Sequence, residues 1–418
     1  MTVTGIPPAA APTTAGRPAH RDPDVLRWLG AYTTSMLGDS VYYLALSWAA
    51  VQGGSPARAG LVMSASALPR AVLLLGGGVI ADRLGPRRVV IASDSVRCAA
   101  VLAVAALLFL TRPGLWPLVL LALVFGTVDA VFMPAVGALP ARITGKGQLA
   151  RVQGMRGIAI RFANVAGAPL GGLAVALGGA PAAFTLAGAL IAVSVPLLIS
   201  VRVRDLPADR ADAPRGTALA DLGDGLRHVR RHRVLAPLML TIALGDLGFV
   251  GPLNVGLTLL ADRRGWGASG MGWVLAGFGV GAGAASLLLA VRGRVPHAGL
   301  VTGCACVAGS VAIGALAFVP ALAAAVGVAL LVGLLAGLSG ALCGALLQTH
   351  ADPAHLGRVT SVAGLVGLGL APLSMPFAAA AIGVWGLGPV FVVSAAVCGL
   401  GGAVALLAPD LRRAEIPG

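Results

Sequence analysis

Gly78-Val79-Ile80-Ala81-Asp82-Arg83-Leu84-Gly85-Pro86-Arg87-Arg88 is a compact charged turn wedged between two long apolar runs. From Ala59 to Ala81 the chain carries one earlier charge, Arg70. From Val89 to Leu110 it is apolar apart from Ser93, Asp94, Ser95 and Arg97. A turn holding Asp82, Arg83, Arg87 and Arg88 between two stretches of bilayer length reads as a short cytoplasmic loop. The chain is therefore expected to be a polytopic membrane protein.

The bulk composition agrees. The 418 residues are 57% hydrophobic and 11% charged, with a mean hydropathy of +0.91. Soluble domains carry roughly 25% charged residues, so lipid is the expected solvent for this much apolar surface. The net charge of +14 is one that nucleic-acid partners would also favour. Position argues against that reading, because the arginines fall mostly in short loops between apolar spans. The near-absence of Lys, and Glu415 as the single Glu, read as compositional bias of the genome. Cys98, Cys304, Cys306, Cys343 and Cys398 all lie in apolar spans without zinc-ligand spacing, so no metal site is expected. There is no Walker A loop or H-E-x-x-H, which excludes direct use of ATP and leaves no cofactor implied. No nucleophile–base pair is visible, so enzyme function is not expected. Residues 1–24, rich in Pro, Ala and Thr without an apolar core, read as a disordered tail and not a signal peptide.

Apolar windows predict twelve spans: 27–51, 58–81, 89–111, 115–137, 152–176, 181–201, 234–260, 268–291, 298–319, 322–347, 358–383 and 385–408. Gly is abundant, at 60 residues, as helix packing in lipid favours. Of the 30 Lys and Arg, 22 lie on the side of the termini, four on the other (Arg58, Arg112, Arg263, Arg264) and four within spans (Arg70, Arg97, Arg156, Arg161). That bias predicts cytoplasmic termini. The one long internal loop, 202–233, separates a six-span unit at 25–201 from another at 234–408, with a short cytoplasmic tail at 409–418. Within the loop, Leu219 to Arg233 carries Leu219, Leu222, Leu226 and Val229 on one stripe. It reads either as an amphipathic helix on the inner membrane surface or as a plain linker.

The halves repeat. Leu37-Gly38-Asp39 recurs as Leu244-Gly245-Asp246, an offset of 207. Gly137-Ala138-Leu139 and Gly344-Ala345-Leu346, Leu149 and Leu356, Arg151 and Arg358, and Pro169 and Pro376 share that offset. Parallel repeats of six spans are a transporter architecture.

These motifs resemble a known family. The 78–88 loop resembles motif A of the major facilitator superfamily, G-x-x-x-D-R-x-G-R-R, carried here by Gly78, Asp82, Arg83, Gly85, Arg87 and Arg88 between spans 2 and 3. Gly167-Ala168-Pro169-Leu170-Gly171-Gly172 is similar to motif C, associated with exporters of the superfamily, with Ala168 in place of the usual Gly. Phe132-Met133-Pro134 before Ala138-Leu139-Pro140, together with Leu68-Pro69-Arg70, looks like the subgroup of macrolide-efflux and enterobactin-exporter proteins. The usual Arg of motif B in span 4 is missing, and Asp129 is the charge present there. The second-half counterpart of motif A, near Val291-Arg292-Gly293-Arg294, lacks its Asp. The resemblance implies an all-α membrane fold of two pseudo-symmetric six-helix bundles, with Asp82 and Arg83 latching span 2 to span 11. The alternative is that these charges only set topology. Asp94 and Arg97 stand three apart on span 3 and can pair with each other or with the Asp82–Arg88 loop, as supporting charges.

Ionisable residues deep in a bilayer are costly and usually face a cavity. Asp39 lies about 18 Å from the start of span 1, and Arg70 about 18 Å in from the other side on span 2. The two could meet as a static ion pair, or Asp39 could carry a coupling proton. Asp246 and Asp129 are the other proton-coupling candidates. Arg70, Arg161 and Asn164 are the substrate-cavity candidates, with Arg161 also a possible structural partner of Asp129. Gln348 and His350 read as helix-end polar groups, and Trp48, Trp273 and Trp385 as anchors.

The expected protein is a monomeric multi-pass transporter of the bacterial inner or plasma membrane. It exports small amphipathic antibiotics or secondary metabolites in exchange for protons, with the lipid bilayer as its other partner and no nucleic acid. Siderophore export is the closest alternative. A non-transporting receptor or scaffold working through its central loop and N-terminal tail is the alternative of another class.

Overall fold

The computed structural model describes residues 19–52, 56–111, 114–144, 148–203, 218–292, 295–351 and 356–415. The remaining residues, including 1–18 of the expected N-terminal tail and 416–418 of the C-terminal one, lie outside that description. Helical structure begins earlier than the sequence suggests, at Ala19–Arg21. The Asp22 carboxylate accepts the Asp24 N–H at 3.0 Å, and Pro23 opens the first long helix, a position where its missing N–H costs nothing.

That helix, α1, is Pro23–Gln52. It is followed by α2 (Pro56–Leu84), α3 (Pro86–Leu110) and α4 (Trp116–Ile143). The helical run Leu149–Ser200 breaks at Gly178 and Gly179 into α5 (149–177) and α6 (180–200). Gly179 sits at φ +69°, a conformation a Cβ would oppose, and so turns the chain back across the fold. Then come α7 (Ala218–Arg231) and α8 (Leu235–Arg263), which continues through a π-turn at Pro252–Gly256. The second half is completed by α9 (Gly267–Arg292), α10 (Ala298–Leu316), α11 (Leu322–His350), α12 (Leu356–Trp385), α13 (Leu387–Leu407) and the short α14 (Pro409–Arg412). No strand occurs among the described residues. The segments α1–α6 and α8–α13 correspond one for one to the predicted spans.

The predicted amphipathic segment is helical as α7. Val229 is buried in the core while Leu226 is exposed, and the helix packs on α12 and α8. The turn of the motif at 78–88 is held by Gly85 at φ +84°, with Pro86 opening α3.

Three apolar cores show how the two bundles meet. The end of the molecule that carries the chain termini is here called the basic face. At the opposite face one continuous core joins both halves, from Val41, Leu46 and Phe125 to Leu260, Val274, Ile313 and Phe391. At the basic face the cores are separate. Trp28, Phe132, Leu139 and Leu198 form one in the first half, and Leu235, Leu342, Leu346 and Val359 form another in the second. Hydrogen bonds between the bundles gather at the opposite face. Ser47 bonds Thr258 Oγ1 at 2.5 Å and the Asn254 carbonyl at 3.2 Å, and Gln52 donates to Asp262 at 2.9 Å. Ser47 and Asn254 are separated by the repeat offset of 207, so α1 and α8 cross on the pseudo-two-fold axis. α5 and α9 also meet there: a Cβ on Gly172 would lie 2.6 Å from the Ala268 carbonyl. Among the described residues the bundles share one core at one face and have separate cores at the other, with a cavity between them.

Candidate functional site: a buried ion cluster beside a central cavity

Ser35, Asp39 and Tyr43 recur every four residues on α1 and so share one face. That face meets Arg70 of α2, Asp94 and Arg97 of α3, Asp129 of α4 and Ser194 of α6. Arg97 is the hub and is wholly buried. Its Nη1 donates to both oxygens of Asp39, at 3.0 and 2.9 Å, and to Asp129 Oδ1 at 3.2 Å. Its Nη2 donates to Ser35 Oγ at 3.1 Å and to Asp94. Asp94 also accepts from Ser35 at 3.1 Å and from Ser194 at 2.5 Å. The guanidinium carbon sits 4.1 Å from the Phe132 ring centroid, a cation–π contact in a desolvated setting. Arg70 forms the second centre, donating to Asp129 Oδ2 at 2.7 Å and to Tyr43. The Tyr43 hydroxyl donates to the same Asp129 oxygen at 3.1 Å.

The charges of this cluster do not cancel. Three carboxylates face two guanidiniums, which stay protonated in proteins. One negative charge is left over, room for a single proton. Asp39 is the most accessible carboxylate, with its side chain 13% exposed, against 5% for Asp129 and 1% for Asp94.

The central cavity lies beside this cluster. One part, about 310 Å3, is lined by Ser40, Tyr43, Ser47, Arg161, Asn164 and Asn254 among others. A second, about 680 Å3, shares Arg161, Phe278 and Ala282 with the first and runs along Asp246, Phe249, Cys306, Cys343 and Gln348. The second part reaches the basic-face halves of α8 and α11. Asp246 has no hydrogen bond or ion pair to any described residue. Its Oδ2 faces Gly367 of α12. Arg161, from the other bundle, is exposed on the cavity wall.

The structure rearranges several expected pairs. The cation facing Asp39 is Arg97, not Arg70: α3 packs on α4, and the Arg97 side chain extends from it to reach Asp39 on α1 and Asp129 on α4. Arg70 reaches Asp129 instead, and Arg161 lines the cavity away from Asp129. Asp94 and Arg97, expected as supporting charges, do pair with each other, but Arg97 also organises the whole cluster. The sequence reading missed Tyr43, which touches both cluster and cavity. Its signal was present as the i+4 neighbour of Asp39. In the motif at 78–88, Arg83 and Arg88 are exposed and Arg87 donates to the Ile199 carbonyl at 2.5 Å. The expected Asp82 latch, and the surroundings of Gly78, lie outside the described residues. In the motif C-like segment, Gly167 lies against Ser40, Gly171 against Val41 and Gly172 against α9, while Ala168 and Pro169 meet Gly272.

At the basic face, His232 Nδ1 accepts the N–H groups of Val234 and Leu235, each at 3.2 Å, capping α8. Partial burial, then the neighbouring His228 and His350, hold its pKa below the ordinary imidazole value.

Residues 28–372 match the profile described as Major Facilitator Superfamily. The multidrug efflux pump Tap of Mycolicibacterium fortuitum is 29% identical over 93% of this chain and 96% of its own length. The enterobactin exporter EntS of Escherichia coli O9:H4 (strain HS) is 24% identical over 75% of this chain and 77% of its own. Among solved structures, a mutant form of the nucleoside transporter NupG superposes with a TM-score of 0.72 at 13% identity, covering 92% of this chain and all of that one. A bacterial homologue of the human lysosomal transporter Spinster, inward-facing and occupied, gives 0.69 at 15% identity over 93% of this chain and 97% of that one. At such identities these structures speak for the fold alone.

Proposed function

This chain belongs to the major facilitator superfamily, and we propose that it exports small amphipathic organic compounds, antibiotics or secondary metabolites, in exchange for protons. It is a multi-pass membrane transporter and not an enzyme. The proposal places it in a bacterial inner or plasma membrane as a monomer, with the basic face and both termini in the cytoplasm, as the 22-to-4 distribution of Lys and Arg favours. The similarity to Tap supports drug-like cargo.

The observation that carries proton coupling is the uncompensated carboxylate of the Asp39–Arg97–Asp94–Asp129–Arg70 cluster. In the cytoplasm-open state, substrate enters the cavity between Arg161 and Asp246, whose apolar walls suit weakly polar molecules. A proton arriving at Asp39 neutralises the leftover charge and loosens its two bonds to Arg97. Tyr43, bonded to Asp129 and lining the cavity, transmits that change to bound cargo. The joined opposite-face core then parts as the basic-face cores close, which is alternating access. Because protons and cargo are linked through one set of contacts, each shifts the equilibrium only by its preference between states.

Siderophore export is the second reading. Arg161 on the cavity wall gives an anionic cargo a direct partner, and similarity to EntS points the same way. Drug accumulation and growth inhibition across a broad compound panel in an efflux-deficient host, with Asp39→Asn alongside, tests the proposal. Protection against one or more compounds that Asp39→Asn abolishes is expected. Protection against none overturns drug export.

A further inference from the structure

Four arginines ring a separate cavity of about 580 Å3 at the basic face. Arg87 and Arg88 come from the start of α3, Arg142 from the end of α4 and Arg202 from the segment after α6. Leu84, Pro86, Ile199, Ser200, Val201 and Val203 complete the wall. None of the four guanidiniums forms an ion pair with a carboxylate whose side chain is described, a set that does not include Asp82 of the same turn. The nearby Asp24 accepts the main-chain N–H of Arg202, itself part of the wall, at 3.1 Å, and its ion pair is with Arg27 at 3.4 Å. Arg87 spends one nitrogen on the Ile199 carbonyl, and its Nε is buried without a partner. Arg142 is half-buried as well.

Arg88 and Arg202 are exposed while Arg87 and Arg142 are partly buried, and four like charges around one cavity repel one another unless an anion sits among them. A guanidinium fork matches the oxygens of a phosphate. The apolar part of the wall selects between sources of that phosphate. Leu84 and Ile199 are 59% and 56% exposed and form an apolar ramp beside the arginines at the ends of α2 and α6. A free phosphate has no use for such a ramp, whereas a glycerophospholipid does. Basic pockets between helices on the cytoplasmic side are where anionic headgroups bind.

We propose that this four-arginine cavity is a site for the phosphate of an anionic inner-leaflet phospholipid, its acyl chains lying along α2 and α6. The assignment rests on the cytoplasmic placement of the basic face given above, but not on what the transporter carries. The site pins the α2–α3 turn to the ends of α4 and α6, so an occupied site stiffens the first bundle.

The test uses the full chain in nanodiscs of phosphatidylcholine, with or without added phosphatidylglycerol. It reads lipid retained by native mass spectrometry and the thermal unfolding midpoint. Phosphatidylglycerol is expected to co-purify and raise the midpoint. Arg142→Gln with Arg202→Gln should lose both effects, and Arg142→Lys with Arg202→Lys should keep most of the retention. Arg412→Gln with Arg413→Gln removes two exposed charges from the same face and should retain lipid as the parent does. Equal loss in the two Gln pairs would reduce the effect to general surface charge and overturn the site, as would unchanged retention in both. Inorganic phosphate or glycerol 3-phosphate, added to phosphatidylcholine discs, should raise the midpoint little. If either matches phosphatidylglycerol, the lipid assignment fails. None of these readouts involves transport, so a failed drug panel leaves the outcome intact.

Discussion

Asp39 and Asp246 occupy the same place in the two repeats, 207 residues apart, and meet opposite surroundings. Asp39 is locked to Arg97 within a cluster of five charged side chains drawn from four helices. Asp246 stands on a cavity wall with no cation in the described second bundle to meet it. The pseudo-symmetric fold thus carries an asymmetric charge plan. One bundle holds its charges in an internal cluster, and the other presents a single carboxylate on the cavity wall among the described residues.

The largest expected effect breaks the first half of that comparison. Arg97→Gln leaves three carboxylates against one guanidinium in a buried site, a loss of about 3–5 kcal/mol. Arg161→Gln, on the open cavity wall, should stay within about 0.5 kcal/mol of the parent. Folded yield and unfolding midpoint in detergent compare the two. Equal stability would mean that the cluster is not the internal scaffold described. Adding Asp94→Asn to Arg97→Gln should restore part of the loss.

A substitution at the interface comes next. Gly172→Leu drives a side chain into the Ala268 carbonyl, at about 1–3 kcal/mol. It should prop the bundles apart at the opposite face and stop transport while the rest of the fold persists. Labelling of a cysteine introduced at Ser47 should become faster from the opposite side. Unchanged labelling would contradict the joined-core description.

Tyr43→Phe removes the hydroxyl shared by Arg70 and Asp129, with an expected cost of about 1 kcal/mol and a weaker dependence of transport on the proton gradient. Undiminished dependence would remove Tyr43 from the link between cluster and cavity.

The smallest effect lies at the α8 cap. The folded state holds the His232 pKa below its ordinary value, so folding favours the neutral ring. The stability this contributes is present above the unfolded imidazole pKa of about 6.5 and is lost as the pH falls from there toward the folded value. His232→Gln should flatten that part of the pH–stability profile. A profile unchanged by the substitution would show that the cap does not titrate in this range.

The spans were legible because lipid demands long apolar helices, and the repeat was legible because one offset links Asp39 to Asp246 and Pro169 to Pro376. The pairing of the buried charges was not. Depth along a helix follows from residue count, but azimuth does not, and azimuth decides whether Arg70 or Arg97 faces Asp39. The i+4 rule would have placed Ser35, Asp39 and Tyr43 on one face. It could not have told that charged side chains of α3 and α4 reach that face, since apolar all-round helices give no orientation. The four-arginine cavity was likewise visible only as scattered loop charges, because Arg142 and Arg202 belong to different loops.

The measurement that tests this charge plan most directly is substrate-driven proton movement in proteoliposomes, using a compound selected by the drug panel. Asp39→Asn should abolish gradient-coupled transport and keep substrate exchange without a gradient, while Asp246→Asn should weaken substrate binding and keep the proton stoichiometry of whatever is carried. Full coupling in Asp39→Asn, or loss of coupling confined to Asp246→Asn, would contradict it.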